Sequence, residues 1–138
     1  MANLNGIPPF PNPGVRLIKE DEHVAIWEEV FEPGKPTPPH RHTRDYVAIF
    51  PNAGELTIIP IAGDSVAGET EELTVVAGQM KESATANSGT RLVFSNGTVL
   101  HQNVPAGGSS HYAVNEGPKP DLMILIEIKG TGSEKKMK

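Results

Sequence analysis

The chain has 138 residues, the length of one ordinary domain and too short for two fused catalytic domains. Hydrophobic residues at 37% and charged residues at 21% describe a globular protein rather than a disordered one, and with aromatics at only 5% the core must rest on Val, Ile and Leu. A net charge of -5 has the wrong sign for a nucleic-acid footprint, and the lack of cysteine excludes disulfides, thiolate nucleophiles and Cys-type zinc sites.

The stretch from Ile7 to Gly14 contains Pro8, Pro9, Pro11 and Pro13, which remove amide donors and fix extended dihedrals. Residues 1–14 are therefore expected to form an extended arm, with Ile7 and Phe10 available to dock, a neighbouring subunit being one possible seat. This start lacks the basic and apolar segments of a secretion signal, and no apolar run reaches the ~18 to 20 residues of a membrane span. A cytoplasmic location and no membrane partner are expected.

Strands are expected next over 15–19, 23–32, 40–42, 46–50 and 55–61, separated by Asp/Glu, Pro-Gly and Asn-Ala-Gly clusters. Residues 64–70 read as a turn, 71–77 as a strand and 81–89 as a polar surface loop. Asn96-Gly97 tolerates positive φ at both centres of a tight turn, so 91–104 reads as a hairpin in which Phe94 faces Val99 and Leu92 faces His101. Strands over 109–115 and 122–129 follow, the second carrying the apolar run from Leu122 to Ile126, and 130–138 reads as a disordered, mostly basic tail. Glu28-Glu29 and the acidic run at 69–72 are expected to solvate strand edges. About ten short strands without a helical period indicate an all-β, antiparallel sandwich, jelly roll or small barrel.

Three histidines give this framework its chemistry. His40-Arg41-His42 lies on a strand whose period of two puts both imidazoles on one face, which is half of a metal site. His111 opens another strand just after Pro105, Gly107 and Gly108. In the hairpin register above, His101 shares an inward face with Leu92, Phe94 and Val99. It is then a fourth ligand, a donor to a ligand or a proton shuttle, or else a core histidine satisfied by a carbonyl. His23 follows Asp21-Glu22 at a turn and reads as exposed. Signatures of a nucleophile elbow, a P-loop, a dinucleotide fold and a zincin helix are all missing from the sequence.

These residues resemble the two motifs of the cupin superfamily, G-x5-H-x-H-x3,4-E-x6-G and G-x5-P-x-G-x2-H-x3-N. The first is matched by Gly34, His40 and His42, and the second by Pro105, Gly107, His111 and Asn115, with one extra residue before His111 unless Gly108 is the motif glycine. The resemblance is to small, single-domain, RmlC-like members and spans 15–129. It implies an antiparallel double-stranded jelly-roll barrel and a divalent metal held by His40, His42 and His111. Where the family carries Glu, this chain has Tyr46, with Asp45 one position earlier. An uninterrupted strand turns Tyr46 toward the histidines and Asp45 away, whereas a bulge would bring Asp45 in as a ligand.

The segment from His40 to Val47 is also similar to that of small cupins associated with β-alanine catabolism. What the resemblance implies is a metalloenzyme using Fe, Zn, Mn or Ni in a dioxygenase- or isomerase-like reaction on a small polar molecule. Tyr46 or His101 would move protons, and Arg41 or Arg44 would meet a carboxylate or carbonyl. The alternative is a non-enzymatic barrel that binds a ligand or metal for sensing or storage. Strand edges and the arm suggest a homodimer.

Overall fold

The computed structural model describes residues 9–11, 15–61, 72–85, 89–105 and 107–134. Its strands are β1 (Arg16–Glu20), β2 (Val24–Phe31), β3 (His40–His42), β4 (Tyr46–Phe50), β5 (Gly54–Pro60) and β6 (Glu72–Ala77). They continue with β7 (Met80–Ala84), β8 (Thr90–Phe94), β9 (Thr98–Asn103), β10 (Ser109–Asn115) and β11 (Asp121–Ile128). One sheet runs β1-β2-β11-β4-β9-β6 and the other β3-β10-β5-β8-β7, with every pairing between named strands antiparallel. This is the expected all-β, antiparallel jelly-roll architecture.

The two sheets close on a core built by alternation. Along β11, Asp121, Met123, Leu125 and Glu127 are buried while their neighbours are half-buried, so one face turns fully inward. Phe50 from one sheet meets Phe94 from the other with ring centroids 4.1 Å apart, and Leu56, Leu92 and Leu100 fill the space around them. Asn115 is fully buried at the end of β10. Its Nδ2 donates to the carbonyls of Phe31 (2.8 Å) and Lys119 (2.7 Å), and its Oδ1 accepts from Gly117 N (2.7 Å). The asparagine of the second motif therefore fastens strand ends together.

Several local expectations change. Asn96-Gly97 is a turn with Gly97 at φ 74°, but it does not close a hairpin, because β8 pairs with β5 and β7 whereas β9 pairs with β4 and β6. Thr98 is completely buried at this corner, and its hydroxyl donates to the carbonyls of Ser95 (2.8 Å) or Gln79 (3.1 Å), so the chain crosses from one sheet to the other. Residues 81–84, inside the expected surface loop, belong to edge strand β7, whose side chains are mostly exposed. The 64–70 turn lies outside the described residues.

Phe10 docks on its own chain. Its amide donates to Arg41 O (2.8 Å) and its ring is buried against Trp27. At the other end, residues 130–134 are no loose tail. They fold back through a 3-10 turn at Gly132–Glu134, where Ser133 N and Oγ both donate to Thr43 O at 2.8 Å.

Candidate metal centre

The histidines come together because β3 pairs with β10, His40 standing directly opposite His111. The entry to β3 is held by Thr37, whose amide donates to Ala113 O (2.9 Å) and whose Oγ1 accepts from Ala113 N (3.0 Å). Pro38-Pro39 then keeps the chain extended into His40. Before β10, Gly108 adopts φ 85° and lies so close to β3 that a Cβ there would meet His42 O at 3.1 Å. Gly108 is thus the glycine that this turn requires, and the extra residue is absorbed ahead of it.

One ring nitrogen from each of His40, His42 and His111 can be chosen so that all three lie within 4.8 Å of one another, and the ring centroids are 4.8 to 5.0 Å apart. His40 Nδ1 lies 3.0 Å from Pro38 O, which can only accept, so Nδ1 carries the proton and Nε2 is left for a ligand role. His42 Nδ1 is buried with no hydrogen-bond partner among the described residues. Burial depresses the pKa of all three rings below the ordinary 6.5. For His111 burial and the neighbouring His40 push it down to about 3, and for His42 burial and both other rings push it well below. Neutral imidazoles converging on one point are the donor set of a divalent cation, so these residues fit a metal.

A small chamber of about 40 Å³ adjoins the cluster, lined by the three histidines together with Glu29, Tyr46 and Met123 among others. Phe10 stacks on His42 (centroids 4.9 Å, 26°), and the Tyr46 ring lies tilted by 34° at 4.5 Å from the same imidazole. Tyr46, His111 and Met123 also line a larger cavity of about 360 Å³ between the sheets.

Tyr46 therefore points inward as expected. Glu29 is the residue that sequence reasoning missed. It is 5% exposed, not an edge charge, and alternates inward with Ala25, Trp27 and Phe31 along β2. The signal was that same period of two.

The other candidates stand elsewhere. Asp45 Oδ1 accepts from Val104 N (2.8 Å), which anchors the carboxylate outside the histidine cluster, and no bulge turns it in. His101 pairs with Val47 and Thr74 on β9, on the face opposite Leu100 and Gln102, so it lines neither cavity. Its inward reading depended on the hairpin that does not form. Arg44 is tied by Nε to Glu134 (2.7 Å) and by Nη1 to Glu127 (3.4 Å), and Arg41 alternates away from His40 and His42. Neither arginine lines either of these two cavities. His23 is exposed, as expected.

No protein-family model matches the chain, and no curated protein does. Solved structures do. A cupin domain from Bordetella pertussis Tohama I superposes with a TM-score of 0.57 at 21% identity, covering 87% of this chain and 98% of that one. The fold is the cupin fold. An oxalate decarboxylase from Bacillus subtilis superposes with a TM-score of 0.50 at 16% identity, over 87% of this chain but only 27% of its own length. Across both, what is shared is the cupin barrel.

Proposed function

We propose that this cupin is a metal-dependent enzyme acting on a small molecule, with His40, His42 and His111 holding a divalent cation such as Fe, Zn, Mn or Ni. The observation that carries the reading is the convergence of three neutral imidazoles, two buried and that of His111 half-buried, beside a cavity of about 360 Å³, within the size range of small-molecule sites. A bound cation supplies Lewis acidity toward a substrate oxygen, which suits dioxygenase- or isomerase-like chemistry. The chain's own groups do the rest. Tyr46, reaching both chambers, orients the substrate head and exchanges a proton through its phenol. Glu29 supplies the negative charge that the family's missing glutamate would give, from β2 instead of from the first motif. Phe10 shields the His42 side from water. Arg41, Arg44, Asp45 and His101 have no part in the site. Edge strand β1, with Leu17 and Ile18 exposed, is the surface we assign to self-association as a homodimer.

The second reading, a cupin that binds metal or ligand for sensing or storage, is favoured by the missing motif glutamate. Turnover assays on metal-loaded protein with a panel of small carboxylates and carbonyl compounds separate the two. Substrate loss that disappears in His111→Ala and falls in Tyr46→Phe supports the enzyme. Tight, saturable binding with no turnover of any compound supports the binder.

A further inference from the structure

We infer that the ligand of the large cavity is monofunctional and mostly hydrocarbon. It carries one oxygen-bearing head, neutral or singly negative, beside His111 and Tyr46, and an apolar body among Phe50, Leu92 and Leu100. This rests on the metal-centre reading above and narrows its substrate class, replacing the small polar molecule expected from sequence.

The cavity includes Tyr46 and His111, which it shares with the histidine cluster, and has apolar walls contributed by both sheets. Phe50 and Leu100 come from the six-stranded sheet, and Ile58 and Leu92 from the five-stranded one. Among the described residues lining it there is no Lys or Arg, the neutral polar groups besides Tyr46 and His111 are Thr90, Gln102 and Ser110, and the one acidic side chain, Glu82, sits at an exposed position on edge strand β7. The arginines that could have met a carboxylate are committed or turned away, Arg44 to Glu127 and Glu134 and Arg41 to the outer side of β3. A second charge carried along the ligand's body, away from the cation, would meet no Lys or Arg among the described lining residues and would lie between apolar walls. A polyol would need a partner for every hydroxyl along its body, and between the apolar walls the described residues offer these only at Thr90, Gln102 and Ser110. A hydrocarbon body meets neither cost and gains from each methylene that leaves water.

Calorimetric titration of metal-loaded protein with straight-chain monocarboxylates from acetate to octanoate, beside the dicarboxylate adipate, tests the inference. Affinity is expected to tighten about fourfold per added methylene until the cavity is full. Hexanoate is expected to bind at least about tenfold tighter than adipate, whose second carboxylate falls among the apolar walls. Leu73→Trp, at the half-buried edge of the cavity, is expected to flatten the series beyond butyrate with metal content unchanged. The wild-type series decides even if that variant fails to fold: no dependence on chain length, or adipate binding tighter than hexanoate, overturns the inference. Metal content measured on the same samples keeps the two readings apart. If only the metal centre is wrong, metal is absent while the chain-length dependence persists; if only the cavity inference is wrong, metal is stoichiometric and the dependence is missing.

Discussion

The two ends of the barrel interior are buried to similar depth and obey opposite energetics. At one end Phe50, Leu56, Leu92, Phe94 and Leu100 leave water with nothing polar to satisfy, each contributing on the order of 1.5–3 kcal/mol. At the other end Glu29, His40 and His42 occupy equivalent inward positions, where burial costs free energy unless a partner or a cation compensates. The same alternation of β-strands could have placed aliphatic side chains at both ends. That it does not marks the histidine end as the part of the core kept for chemistry.

Crossing the two ends by mutation breaks or sharpens this contrast. The largest effect is expected from Phe50→Ala, which should cost about 3–5 kcal/mol in denaturant unfolding while the folded fraction keeps its metal. Next is Asn115→Ala, which strips the anchors of the Phe31 and Lys119 carbonyls and of the Gly117 amide and should cost about 2–4 kcal/mol.

His42→Leu should do the reverse of Phe50→Ala, removing a buried unsatisfied nitrogen so that metal-free stability is unchanged or about 1 kcal/mol higher, while metal binding is lost. The pH dependence sharpens the point. The folded pKa values of the three histidines lie below 6.5, so beneath that pH the unfolded chain binds more protons. Their contribution leaves metal-free stability undiminished above pH 6.5 and lowers it as pH falls toward about 3, where His111 titrates. Melting temperatures across that range should fall less steeply in His42→Leu than in wild type, and equal slopes would refute the buried, neutral histidines. The smallest effect is expected from Asp45→Asn, which weakens one hydrogen bond to Val104 N, costs about 0.5–1.5 kcal/mol and leaves metal content unchanged. Loss of metal in this variant would return Asp45 to the ligand set.

What was legible in the sequence followed from local periodicity. Strand alternation gave nearly every strand, and His40-x-His42 with His111 gave the cluster, because these patterns are fixed within a few residues. What was not legible depended on distant partners. Asn96-Gly97 specifies a tight turn but not which sheet each flanking strand joins, and His101 was placed on the wrong face with that hairpin. Strand β7 carries exposed residues on both faces, so no alternation announces it. The fate of Asp45 is decided by the amide of Val104, far along the chain. Glu29 was readable by its period with Trp27 and Phe31, yet paired acidic residues look like a solvated edge until β11 and β1 are known to flank β2.

The most direct test of the account is elemental analysis of untagged protein, reconstituted in turn with Fe, Mn, Ni and Zn, comparing wild type with the His40→Ala/His42→Ala double variant. The account predicts stoichiometric metal in wild type and none above background in a double variant that stays folded. Wild-type protein that takes up none of the four, or a folded double variant that holds as much metal as wild type, would contradict it.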